Sequence, residues 1–232
     1  MTAMKSYLDH LVVIAPDLAS GAAWCEALLG VSPAAGGAHP LMGTHNRLVR
    51  LEGDAFADAY LEIIAIDPAA NPERKPPLAR WFDLDDPALM ARIAARGPQL
   101  AHWVVRTDNV AAATDSWARL GIDRGPALAA SRMSAAGLLT WKITVRDDGA
   151  RLLDGCLPTL IEWGPVHPAP ALTAQGVVLE ALSLSHPEAA RIERAFSAIG
   201  LEGVAVRHGP AGLSASLSSR AGRPLLLGGG AP

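Results

Sequence analysis

Lysine is nearly absent from this chain. Arginine supplies 17 of its 20 basic residues, and 23 acidic ones leave a formal charge of −3. With no basic excess there is no electrostatic footprint for nucleic acid, so the expected partner is a small molecule. Cysteine is equally scarce. Cys25 and Cys156 stand far apart without CxxC spacing, which excludes a disulfide framework and offers little for a thiolate metal site. Cys25 falls on the apolar face of a predicted helix and reads as a buried, inert thiol. Long apolar runs are missing too: no stretch approaches the roughly eighteen residues that cross a bilayer. The N-terminal MTAMKSYLDHLVV is cut short at Pro16 before it takes the shape of a secretory signal. The expectation is a cytoplasmic protein with no membrane partner. Aromatics are 5% of the chain while half of it is hydrophobic, and 232 residues suffice for one large or two small domains with a sizeable core.

What is present is repetition. Tyr7 to Ala15 is an apolar, β-branched run closed by Pro16-Asp17, which predicts a strand. Leu18 to Leu29 has helical spacing, with Asp17 or Ser20 as cap and Gly30 where a C′ glycine belongs. Gly36 to Thr44 reads as a loop, and strands are expected near Val31, at Asn46 to Leu51 and at Ala59 to Ile66. The first unit, residues 5–67, is thus β-α-β-β-β. A proline-rich linker follows and ends in a helix opened by Asp85-Asp86-Pro87 and stopped by Gly97-Pro98; together they span 68–97. Then the pattern returns. His102, Val104, Val105, Asp108 and Val110 lie 92 positions after His10, Val12, Val13, Pro16 and Leu18, and strands at Leu138 to Val145 and Thr159 to Trp163 complete a second unit over 98–166. Its helix is expected at Asp115 to Leu120. A degenerate third copy occupies 176–228, with Ala181 where the histidines stood and GGGAP as a frayed tail.

Within these units four residues invite chemistry. Glu62 and Glu162 each sit inside the last apolar strand of a unit, where an ionised carboxylate facing the core is costly unless paired or bound to a cation. His10 and His102 occupy one position in the two first strands. At matched positions of a duplicated fold they are a candidate nitrogen and oxygen ligand set for a divalent transition metal. Taken singly, each has an ordinary reading as a satisfied core histidine or a solvent-facing glutamate. His167, His186 and His208 lie beside proline or glycine and read as solvent-exposed turn residues.

The segments LDHLVVIAPDL, YLEII, LAHWVVRTDNV and TLIEW resemble the vicinal oxygen chelate superfamily, and within it the glyoxalase-like domain proteins. The resemblance covers about residues 5 to 166. It implies an α+β fold in which paired βαβββ modules form a cupped mixed sheet, here with an additional C-terminal half-module. It further implies a divalent metal (Zn, Ni, Mn or Fe) held by His10, Glu62, His102 and Glu162. The activity implied is that of a lyase or isomerase in which the metal acidifies a proton beside a carbonyl of a small, 2-oxo type substrate, with Glu162 as first choice for base and Glu62 as second. The loop from His39 to Asn46 resembles the signature GxHPxxGTxN, which makes His39, His45 and Asn46 candidates for substrate binding; Trp103 and Trp141 are candidate pocket walls. Two other functions fit the same frame. An extradiol-type dioxygenase needs only His10, His102 and Glu162 around iron. A metal-free protein that sequesters a metabolite needs none of them as ligands. Modules of this kind pair within one chain or between two, which leaves a homodimer open.

Overall fold

The computed structural model describes residues 4–134, 137–219 and 222–230. Among these residues twelve strands form two sheets, accompanied by four α-helices. The first module is β1 (Ser6–Ile14), α1 (Leu18–Leu29), β2 (Ala34–His39), β3 (Thr44–Arg50) and β4 (Tyr60–Ile66). Asp17 caps α1 by accepting from the Ser20 amide, and Gly30 closes it in the left-handed conformation, φ 72°, that a Cβ disfavours. Helix α2 (Pro87–Arg96) has its cap at Asp86 and its stop at Gly97, as the Asp-Asp-Pro and Gly-Pro signals require. The second module is β5 (Gln99–Thr107), α3 (Val110–Ala118), β6 (Ala127–Ser134), β7 (Gly137–Thr144) and β8 (Thr159–Trp163).

The eight strands of the two modules make one strongly curved sheet in the order β2-β3-β4-β1-β5-β8-β7-β6. It is antiparallel at the β1–β5 joint and parallel within each module at β1–β4 and β5–β8. The joint is symmetric: Leu11 faces Trp103, while His10 faces Val104 and Val12 faces His102 on either side of it. Curvature brings the two outer edges together, where Arg132 Nη1 of β6 donates to the Gly36 carbonyl of β2. The result is a nearly closed barrel with a concave interior.

Two strands differ from expectation. β2 runs through AAGGAH, starting three residues past the strand expected near Val31 and entering the segment read as a loop, because its glycines and exposed positions carry no apolar alternation. β6 went unrecognised for the same reason: its residues alternate only between exposed and half-buried at a sheet edge. The helix of the second module starts five residues earlier than its expected Asp115, at an Asn109 cap.

The C-terminal unit is β9 (Val178–Ser185), α4 (Ala189–Ala198), β10 (Val204–Arg207), β11 (Gly212–Ser218) and β12 (Pro224–Gly230). It repeats the element order of a module but not its pairing, since its strands lie in the order β10-β9-β11-β12. Strand β12 continues through the glycines expected to fray, and Ala231-Pro232 lie outside the described residues. This sheet packs on the convex side of the large one. A single apolar core joins Leu11, Trp103 and Val105 to Leu182, Ala215 and Phe196, and Trp117 Nε1 donates to the Ala195 carbonyl. The unit therefore seals the back of the barrel and leaves the cup to the modules. No described helix is long and apolar enough to cross a membrane.

Candidate active site in the cup

A β-bulge decides what the cup contains. In β1 the pairing shifts between Leu8 and His10, so that Leu8 and Leu11 both face the helices while Val12 and Ile14 face the cup. The extra position is Asp9, and the bulge turns it and His10 to the same side. Asp9 is fully buried, yet its Oδ1 lies 2.6 Å from His10 Nδ1 and its Oδ2 accepts from Trp163 Nε1 at 2.9 Å and from His167 Nε2 at 3.0 Å. Burial, the largest single influence, pushes this carboxyl up, and the His10 and His167 hydrogen bonds more than reverse it, so it is held well below the usual carboxylate range. An ionised Asp9 accepts a hydrogen bond from the Nδ1–H of His10 and leaves Nε2 as the edge that faces the cavity. Stacking on Tyr60, with ring centroids 4.6 Å apart, fixes the plane of the imidazole.

Opposite that edge stands Glu62, whose Oε2 is 3.6 Å from His10 Nε2. Alternation in β4 sends Leu61 and Ile63 to the helices and Tyr60, Glu62 and Ile64 inward. The other oxygen of Glu62 accepts from Asn46 Nδ2 at 2.6 Å. Asn46 Oδ1 in turn accepts the Gly37 amide, and Gly36 has no side chain because a Cβ there collides with Asn46. His39 completes the chain, with Nε2 accepting from Asn46 at 3.3 Å and Nδ1 beside Thr44 Oγ1 at 3.0 Å. Burial, and then the Arg132 charge, push its pKa down to about 3, so His39 is neutral at physiological pH.

Above this floor the walls are aromatic. Trp81, Phe82, Trp141 and Trp163 line the space together with Arg132 and Pro168. The recess between His10 and Glu62 holds about 30 Å³, the room of one water, and shares His39, Trp81, Trp141 and Ile143 with an adjoining cavity of 260 Å³. Trp81 and Phe82 come from the linker, which signalled itself only by two adjacent aromatics in a chain poor in them.

Of the residues singled out in the sequence, the structure brings His10, Glu62, His39 and Asn46 together. Trp141 joins them as a wall of the cup, and the others lie elsewhere. His45 alternates outward from β3 and faces Asp67. Trp103 points to the convex core and donates to the Cys156 carbonyl, whereas Trp141 does wall the cup. Glu162 lies on the helix side of β8, where it accepts from the Val110 amide at the start of α3 and from Lys142 Nζ. Ladder register explains this: Val12 pairs with Glu62, and its counterpart Val104 pairs with Thr159. The true match of Glu62 is therefore Thr159, and an odd three-residue offset puts Glu162 on the opposite face. Likewise Asp9 is matched by Ala101, which stands at the second bulge of the β1–β5 joint. The second module has kept the histidine and lost both carboxylates. Asp9, Tyr60, His167, Arg132, Trp81 and Phe82 were missed. His167 is partly buried on Asp9 and His186 is buried beside Asp154, so neither is the open turn residue expected, while His208 is exposed.

His102 is fully buried, with Nε2 3.0 Å from Thr159 Oγ1, and burial followed by the charges of Arg124 and Arg151 holds it neutral, well below the ordinary imidazole range. Arg124 donates to Thr159 Oγ1 as well, so a buried guanidinium stands behind this histidine. Among the described residues no group of three or more His, Cys, Asp and Glu is placed to hold a metal ion. The donors present thus do not form the four-ligand metal set that the resemblance implies. Cys25 is buried and inert as expected, its thiol pushed up to about 12 by burial and then by Glu26.

The model of a family described as glyoxalase-like domain matches residues 8–200. This chain belongs to that family. The match runs through α4, so the family region includes the first half of the C-terminal unit as well as both modules. A crystal structure of a hypothetical protein from Staphylococcus aureus has the same fold at a TM-score of 0.56 and 12% identity, over 95% of this chain and 85% of that one. Methylmalonyl-CoA epimerase from Mycobacterium tuberculosis is similar at a TM-score of 0.40 and 16% identity, over 74% of this chain and 95% of that one. A comparison with curated proteins finds no match.

Proposed function

We propose that this glyoxalase-like protein is an isomerase or lyase that moves a proton beside the carbonyl of a small, 2-oxo type substrate held in the cup. The observation that carries the reading is the facing pair of His10 Nε2 and Glu62 Oε2, 3.6 Å apart at the floor of a cavity. Glu62, steadied by Asn46, is the group that takes the proton from carbon. His10, oriented by the buried Asp9, stands on the same side to accept or supply a proton at the neighbouring atom. Acid and base on one side suit transfer between adjacent atoms of the substrate; inversion at a single carbon asks for groups on opposite sides. Glu62 is preferred to Glu162 as base because only the former faces the cup. The reading routes no step through a metal, since the donor set does not converge. For the same reason the iron triad His10, His102 and Glu162 has no geometric support.

The aromatic walls favour a second reading, a binding protein that sequesters a planar metabolite. Exchange decides between the two. The wild-type protein is incubated in D2O with a panel of small 2-oxo and 2-hydroxycarbonyl compounds while proton NMR follows the signal beside each carbonyl. Loss of that signal, abolished in Glu62→Gln and His10→Gln, is expected of the enzyme. Tight binding with no exchange in any compound selects the sequestering protein.

A further inference from the structure

The seam that closes the barrel carries a guanidinium that forms no salt bridge among the described residues, although it shares its recess with Glu62. Arg132 belongs to the edge strand β6, but its side chain crosses to β2, where Nη1 donates to the Gly36 carbonyl at 3.3 Å. A Cβ at Gly37 beneath it would meet Nη1 at 2.6 Å and Cζ at 3.0 Å, so a side chain there would displace the guanidinium. The Gly36 carbonyl and the bare Gly37 thus seat the guanidinium, which lines the recess together with His39, Trp81 and Trp141. No carboxylate forms an ion pair with Arg132 among the described residues, whereas Arg74, Arg80, Arg146 and Arg151 have acidic partners. A guanidinium offers five N–H groups in a planar fork, and among the described residues one of them is used. The complement to an open fork is a planar oxyanion.

We infer that the substrate is a monoanionic carboxylate, docked on Arg132 with its carbonyl end toward His10 and Glu62 and its apolar body between Trp81 and Trp141. The substrate class rests on the proton-transfer reading for its orientation, but the anion site itself stands on the guanidinium and its seat. Arg132 faces a recess that already contains the Glu62 carboxylate, and Glu73 lines the adjoining cavity. A second negative charge on the ligand would go unbalanced in a partly buried space, which favours a carboxylate over a phosphate or phosphonate. The 260 Å³ available beside the recess is near the lower end for ligand pockets and fits a compact molecule with an aromatic or branched body.

Calorimetric titration of the wild-type protein with benzoylformate, its neutral methyl ester and phenylphosphonate tests this without any variant. Benzoylformate is expected to saturate at millimolar or lower concentration and the ester to bind at least about tenfold more weakly, the loss of one charge-assisted contact. Equal affinity for acid and ester, tighter binding of the phosphonate, or no saturation by benzoylformate up to about 10 mM overturns the proposal. Arg132→Gln, checked for fold by circular dichroism, is expected to weaken benzoylformate at least about tenfold and leave the ester unchanged, with Arg132→Lys in between. The two readings fail separately. Acid-selective binding lost in Arg132→Gln, with no exchange in D2O, retains the anion site and discards the catalysis. Exchange that ignores Arg132→Gln does the reverse.

Discussion

Asp9 Oδ1 lies 2.6 Å from His10 Nδ1, although the two residues are neighbours in a strand and regular pleating would send them to opposite faces. The bulge between Leu8 and His10 makes the contact possible, and the contact fixes which imidazole nitrogen reaches the cavity. Asp9→Asn puts an amide among donors from His10, Trp163 and His167. We expect the D2O exchange rate to fall about 100-fold, as for loss of a positioned acid or base, and unfolding free energy to fall by about 1–3 kcal/mol from the unmatched buried donors. Exchange unaffected in a folded variant would remove Asp9 from the site.

His39 and His102 are neutral because they are buried, and that has a sign in pH. An imidazole whose folded pKa is depressed contributes stability that is fully present above its unfolded value near 6.5 and is lost as pH falls toward the folded value, about 3 for His39. Asp9 adds stability that is lost only below the ordinary carboxylate value of 3.8, because its folded pKa is depressed in turn. Between pH 7 and about 5.5 the slope therefore belongs to the histidines, at no more than about 1.4 kcal/mol per pH unit for each, and nearer pH 4 Glu162, whose folded pKa is also lowered, adds to it. Urea denaturation across this range is expected to show stability falling with acid, and His39→Gln to flatten the curve. A flat wild-type profile contradicts the neutral assignment.

The repeat in the sequence carried most of the architecture, because duplicated strands and capped helices leave periodic apolar signals that survive divergence. The site was legible on one side only. His10, Glu62, His39 and Asn46 meet because their strands alternate regularly beyond the bulge. Glu162 was misplaced because TLIEW and YLEII align by type while the ladders pair Val12 with Glu62 and Val104 with Thr159. A bulge and a three-residue offset are invisible to periodicity, yet each decides a face. Asp9 and His167 were hidden for a related reason: the hydrogen bond joining them spans 158 residues.

Because the C-terminal sheet shares its core with β1 and β5, its loss is expected to cost the whole fold. Phe196 packs edge-on against Trp103 at 5.5 Å between ring centroids. Phe196→Ala should lower unfolding free energy by about 3–5 kcal/mol in a single cooperative transition. Binding of benzoylformate by the folded fraction should be unchanged, since the phenylalanine lies behind the sheet. Two separate transitions in calorimetry would show instead that the unit folds by itself.

The two glutamates separate the geometry from the sequence pattern most sharply. Glu62 shares the floor of the cup with His10, whereas Glu162 holds the Val110 amide and the exposed Lys142 on the helix side. Glu162→Gln retains an oxygen to accept from Val110 and gives up a charge at a helix start, so a loss of about 0.5–1 kcal/mol in stability is expected, with exchange within about twofold of wild type. Glu62→Gln keeps the Asn46 contact in shape and removes the carboxylate facing His10 Nε2, so exchange should drop by about 10²–10⁴-fold with little change in melting temperature. Measured side by side, the pair distinguishes a site built on the cup from one built on the matched strands. A rate that collapses in Glu162→Gln and persists in Glu62→Gln would return the chemistry to the second module.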